Sequence, residues 1–204
     1  MQDRTHTGIT LQTLDEKKFD HGLILSQTPR PGIPIPPSCT VPQLAELVRA
    51  PGAELLLDGL RRGLHVDPVD IRGEIGDVKA SRAPKVTKGE RRVQWGAGPG
   101  EITRRLRVLG PLWSEVMGKK GTERVIVRDA EVVERPVDGE WKEVEFLESG
   151  EGSQQRPVRI RYCVEGDGAA VVELPAGGAL RIREIVVGGK GVRKAAVVLA
   201  PFSA

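Results

Sequence analysis

From about Thr122 onward, apolar residues return at every second position, and this change of period constrains the fold more than anything before it. Period two sends successive side chains to opposite faces, so these segments read as half-buried strands rather than helices. Five runs qualify, "RVIVRDAEVVE", "RPVRIRYCVE", "AAVVELPAGG", "ALRIREIVV" and "KAAVVLAPF", separated by Gly-rich or acidic turns. In "RPVRIRYCVE", Val158, Ile160, Tyr162 and Val164 share one face while Arg159 and Arg161 share the other. The pattern predicts a separate all-β domain over 119–204, a small antiparallel barrel or sandwich.

The first part of the chain reads differently. "TGITLQTL" (Thr7 to Leu14) and "GLILSQT" (Gly22 to Thr28) are strand-like runs joined by the charged loop "DEKKFDH", with Asp20 near the loop's end. Leu23, Ile24 and Leu25 in succession fit a strand covered on both faces, as in an α/β sheet. After the proline-rich "PRPGIPIPP", Thr40 with Gln43 is a capping-box signature, and Leu44, Leu47 and Val48 follow at helical spacing. Pro51-Gly52 interrupts, so the expectation is helix, kink, helix, ending at Gly63. Residues 64–118 read as a linker that is irregular to about residue 100, then helical through "GEITRRLRVLGPLW", with Ile102, Leu106 and Leu109 on one face. Two strands and a broken helix cannot cover both faces of a parallel-type sheet, so residues 1–63 read as the tail of a larger domain.

Composition narrows the chemistry. Net charge is only +3 and evenly spread, so bulk charge does not announce a nucleic-acid binder, though a local patch remains open. Cys39 and Cys163 lie far apart, without CxxC spacing, which supports neither a disulfide framework nor a zinc site. No second His or Cys stands at metal spacing, and His21 reads as a solvated turn residue. No apolar run approaches the roughly 20 residues of a membrane span, and the first residues resemble no targeting presequence. "GAGPG" (Gly96 to Gly100) lacks the Lys-Ser/Thr ending of a phosphate loop and reads as a flexible helix lead-in. Trp95 and Trp113 read as packing residues. From the residues alone, Asp20 is first a turn aspartate that caps its own backbone beside Gly22.

The order of four segments adds a second reading. "DRTHTGITLQTL...FDHGLILSQTP", "APKVTKGERRVQW", "EITRRLRVLGPLW" and the β domain together resemble the second half of methionyl-tRNA formyltransferases, especially fungal mitochondrial ones. "FDHG" corresponds to that family's Leu-Asp-x-Gly loop, with Phe19 in the Leu position. "APKVTKGERRVQW" (Ala83 to Trp95) is similar to its Ala-x-Lys-Leu/Ile-Thr linker ending in Arg-Ile-Asp-Trp, with Gln94 where Asp is usual. "VVGGKGVRKA" is similar to its Gly-Lys-Lys turn. The resemblance covers nearly the whole chain, loosely over 120–155.

The resemblance implies an incomplete Rossmann-like α/β domain followed by a small OB-like β barrel. It implies transfer of a formyl group from 10-formyltetrahydrofolate to the amino group of initiator methionyl-tRNA, in the mitochondrial matrix, by a monomer without a metal. Asp20 falls on the family's catalytic aspartate, and Leu14, Phe19 and Gly22 belong to the loop that lines its pterin pocket, mainly through backbone. Arg104, Arg105, Lys119, Lys120, Arg159, Arg161, Lys190 and Lys194 are candidates for phosphate contacts with tRNA, against the plainer reading of solvated faces. The family's Asn-x-His and Ser-Leu-Leu-Pro segments have no counterpart here, and the sequence holds no Asn. The chain is therefore expected to begin in mid-fold and to be inactive alone. A non-catalytic tRNA-binding or regulatory short form is the rival reading. A formyl-folate enzyme with another acceptor ranks lower, since such relatives are not expected to carry this linker and β domain.

Overall fold

A computed structural model of the protein describes residues 4–19, 21–74, 83–119, 121–136, 139–149, 155–189 and 191–203. The chain divides into two compact units, Met1–Pro84 and Lys85–Ala204.

In the first unit, β1 (His6–Thr7) pairs antiparallel with β4 (Ile33–Pro34), and β2 (Thr10–Gln12) pairs antiparallel with β3 (Ile24–Gln27). The strand–loop–strand expectation holds. The parallel-type sheet does not form among the described residues: both strand pairings of this unit are antiparallel, and within β3 Leu25 is buried while Ile24, Ser26 and Gln27 are partly exposed. The helix α1 (Val41–Arg61) opens with the expected capping box, in which Thr40 Oγ1 accepts from Gln43 N–H and Gln43 Oε1 accepts from Thr40 N–H. It then runs continuously through Pro51, which corrects the expected helix–kink–helix. The reason is spacing: Leu44, Leu47, Val48, Pro51 and Leu55 form one partly buried stripe that continues across the proline. Close packing fixes Gly59, because a Cβ there would lie 2.4 Å from Leu11 Cδ2.

Among its described residues, the second unit is built on one antiparallel sheet of nine strands. In order they are β13 (Val192–Lys194), β12 (Glu184–Val187), β6 (Gly121–Val127), β5 (Leu112–Gly118), β8 (Lys142–Ser149), β9 (Gln155–Val164), β10 (Ala170–Glu173), β11 (Ala179–Ile182) and β7 (Glu131–Val133). Among its described residues, the segment read as all-β over 119–204 is mostly strand, with one short helix near its end. The sheet curls around a main core, with a second, small cluster of Cys163, Val171 and Ala179, and its end strands β13 and β7 do not pair with each other among the described residues. Helix α2 (Pro99–Leu109) contributes Ile102 and Leu106 to that core. Trp95 stacks on Phe146 with ring centroids 4.4 Å apart and donates from Nε1 to Ser114 Oγ, so its burial leaves no orphan N–H. Each fully buried large apolar side chain of this kind contributes about 1.5–3 kcal/mol.

"KAAVVLAPF" was expected to be a strand and is not. Only Val192–Lys194 pairs; Ala195–Leu199 forms helix α3, followed by a 3-10 turn over Ala200–Phe202. Ala195, Val198 and Leu199 are the buried positions, at i, i+3 and i+4, which is a helical face. Among the described residues, no helix is long and apolar enough to cross a membrane.

Candidate functional site

The β2–β3 loop is closed at its base by two bonds. Thr13 N–H donates to the Leu23 carbonyl (3.0 Å), and Thr13 Oγ1 accepts from Leu23 N–H (2.9 Å). This brings Gly22 so near Thr13 that an added Cβ would sit 1.7 Å from the Thr13 carbonyl oxygen, so the position excludes every other residue. Residues 70–72 run along β3 and hold the same base. Arg72 Nη2 donates to the Gly22 carbonyl (2.8 Å), Ile71 N–H donates to the Ile24 carbonyl (2.9 Å), and Asp70 Oδ1 accepts from Ile24 N–H (3.2 Å).

Within the loop, Asp15 Oδ1 accepts from the N–H groups of Lys17 (2.9 Å) and Lys18 (2.8 Å), and these bonds, that of Lys17 first, hold its carboxyl below the usual range. His21 Nδ1 donates to the Phe19 carbonyl (2.7 Å), and the ring is exposed, as a turn histidine should be. Leu14 and Phe19 are 93% and 95% exposed. Asp20 lies outside the described residues.

The basic candidates that the structure describes differ in their partners. Arg105 is largely buried; it donates to the Glu90 carbonyl and to Gln94 Oε1 (3.3 Å), with Glu101 3.8 Å away, so it ties α2 to the preceding segment. Arg104 is half-buried on the same helix. Arg159 lies opposite Glu145 across β8, and Arg161 lies between Glu143 and Glu173, which makes this face an alternation of charges. Lys119 and Lys194 are exposed. Lys120 and Lys190 lie outside the described residues.

Three clusters were not anticipated. Arg92 and Arg124 both lie over the Trp113 ring, at 4.8 and 4.5 Å from its centroid, and Trp113 Nε1 donates to the Lys88 carbonyl. Arg181 binds Glu131, Glu165 and Asp167, and Arg183 binds Asp129 and Glu131, a network that ties β7 to β11 and the β9–β10 turn. Buried Glu148 accepts from Gly96 N–H (3.1 Å) and Arg156 Nη2 (2.8 Å) beside a cavity of about 370 Å³. Each depends on pairing between segments distant in sequence, which period and motif cannot reveal. Cys163 is buried, and desolvation pushes its thiol up, away from nucleophilic use.

No protein-family model matches the chain. It is similar to the mitochondrial methionyl-tRNA formyltransferase of Saccharomyces cerevisiae, 28% identical over 134 residues, covering 55% of this chain and 32% of the relative. It is also similar to the methionyl-tRNA formyltransferases of Rubrobacter xylanophilus (30% over 111 residues; 54% of this chain, 34% of the relative) and Paramagnetospirillum magneticum (30% over 126 residues; 62% and 39%). The chain thus spans about a third of the length of the curated relatives it matches.

Proposed function

We propose that this chain, which resembles methionyl-tRNA formyltransferases over more than half of its residues, supplies the aspartate-bearing loop and the tRNA-holding β unit of a mitochondrial formyl transfer to methionyl-tRNA. The observation that supports this most is the β2–β3 loop. Its base is fixed by Thr13, Arg72 and a Gly22 that nothing can replace, and its exposed edge carries Leu14 and Phe19. A loop needing that much local enforcement fits a role in positioning.

The donor is 10-formyltetrahydrofolate, whose flat ring system packs on the Leu14–Phe19 edge. The methionyl amine attacks the formyl carbon; a C–N bond to the amino acid forms, the bond to the folate nitrogen breaks, and the proton lost by the amine ends on that nitrogen. Asp20 serves this step through an adjacent imidazole: a carboxylate favours the charged imidazolium, which steadies the developing oxyanion and carries the proton. The Asn amide comes from outside these 204 residues, which contain no Asn, and none of His6, His21 and His65 stands in an Asn-x-His motif that would supply the imidazole. Alone, the chain is a tRNA-binding piece without turnover; the localisation is carried by the yeast relative, and a monomer is proposed.

The test is to incubate the 204-residue chain with 10-formyltetrahydrofolate and methionyl-tRNA, and separately to measure tRNA binding against salt. No formyl-methionine and a tRNA affinity that falls steeply with salt are expected. Formylation by the isolated chain, or no tRNA binding at low salt, contradicts the proposal.

A further inference from the structure

We propose that the groove beside Gly96 seats one phosphate group of a polyanion, with Arg156 as the binding group and Glu148 as its positioning residue. The assignment rests on the tRNA reading above, the RNA backbone being the polyanion. The groove, about 370 Å³, is lined by Gly89, Arg92, Gln94, Gly96, Glu148 and Arg156 among others.

The Glu148–Arg156 pair differs from the other ion pairs of the sheet in how unequally it is buried. The Glu148 side chain is 7% exposed and that of Arg156 66%, whereas the neighbouring Arg159–Glu145 pair is open on both sides. A carboxylate withdrawn from water is costly unless its oxygens are met, and here Oε1 takes Gly96 N–H and Oε2 takes Arg156 Nη2. Glu148 therefore spends its charge inward. Arg156, directly opposite it across β8 and β9, is held by one nitrogen while the rest of the guanidinium faces water. An arginine fixed in this way has already lost much of the freedom that anion binding would otherwise take from it, and its planar fork matches a phosphate. Arg92 adds a second guanidinium to the wall; it is buried and anchored by Glu115 and the Leu147 carbonyl, so it too is held in place. Gly89 and Gly96 bring no side chain to the opening, which leaves room beside the Arg156 guanidinium.

The experiment measures binding of total tRNA, and of inorganic tripolyphosphate as a minimal probe, to the full chain at several salt concentrations. Arg156→Gln is expected to weaken tRNA about tenfold and to reduce the slope of log affinity against log salt by about 0.7–0.9. Arg159→Gln, on the charge-alternating face, is expected to change affinity less than threefold. Glu148→Gln discriminates further: it makes the chain one charge more positive, so unspecific attraction predicts tighter binding, whereas loss of the positioned fork predicts weaker binding. Thermal melts accompany each variant, and Arg156→Gln, being exposed, decides the matter if Glu148→Gln does not fold. Equal tRNA binding by Arg156→Gln and Arg159→Gln overturns the seat and leaves the tRNA partner standing. Tripolyphosphate binding that needs Arg156, with no binding of tRNA, upholds the seat and overturns the partner. Binding of neither probe by the unaltered chain overturns both.

Discussion

A methyl group on Gly22 would lie 1.7 Å from the Thr13 carbonyl oxygen, so Gly22→Ala must open the loop that the proposed chemistry depends on. The expected cost is on the order of 1–3 kcal/mol within the first unit. Hydrogen exchange should show it as lost protection at the Thr13 and Leu23 amides, with the second unit unchanged. Asp15 makes a second prediction. Its folded pKa lies below the ordinary 3.8, so the turn it caps is fully stabilised above that value and loses its cap as pH falls through the lower folded value. An NMR titration of the Lys17 and Lys18 amide shifts should follow that carboxyl rather than His21. Sequence reading reached this loop because "FDHG" and its flanking runs are local. It could not tell that Arg72, 50 residues from Gly22, holds the loop's base, since nothing local to "DIRG" marks its partner. Trp95 was legible as a packing residue, but the ring it stacks on, Phe146, was not.

Strand β7 has three residues, an edge position, and ladder bonds only to β11. The Arg181–Arg183 network supplies much of what keeps it there. Two of its carboxylates are held low, Glu131 chiefly by the Arg183 and Arg181 guanidiniums and Asp167 chiefly by the Ala169 N–H. Because the folded values lie below the ordinary 4.5 and 3.8, the contribution of these two carboxylates is complete above those values and is lost as pH falls through the lower folded ones, leaving the β11 ladder. Arg181→Gln is expected to release β7 at neutral pH, seen as faster exchange at 131–133 while Ile160 and Tyr162 stay protected. Secondary structure shows where local pattern suffices and where pairing decides. The alternation in "RPVRIRYCVE" gives β9, with Ile160 and Tyr162 buried, yet Cys163 is buried as well, in a second cluster with Val171 and Ala179, and Val164 is exposed. In "KAAVVLAPF" β-branched residues favour a strand, but the buried Ala195, Val198 and Leu199 face makes a helix, so packing overrides propensity. Strand β8 went unread because its buried Val144 and Phe146 are interleaved with glutamates whose partners, Arg159 and Arg161, lie on another strand.

The two units differ in what holds them. The second has a core that includes Trp95, Ile102, Leu112, Phe146, Ile160 and Tyr162. Among the described residues of the first, Leu25 is the buried large apolar side chain, whereas Leu14, Phe19, Leu56, Leu57 and Leu60 are exposed. Limited proteolysis of the full chain should therefore cut within 1–84 first and leave a resistant fragment close to 85–204; early cuts in the sheet would contradict this. The relatives carry about twice as much chain outside the matched segment as within it, and a first unit so poor in core fits a piece of a larger fold. The most direct measurement places this chain in that setting. The matched third of the Saccharomyces cerevisiae mitochondrial formyltransferase is replaced by these 204 residues, and formylation of methionyl-tRNA from 10-formyltetrahydrofolate is measured with and without Asp20→Asn. The account predicts a working chimera that loses at least a hundredfold in rate with Asp20→Asn, at unchanged tRNA affinity. A folded, tRNA-binding chimera that formylates equally well with Asn at that position, or not at all with Asp, would contradict it.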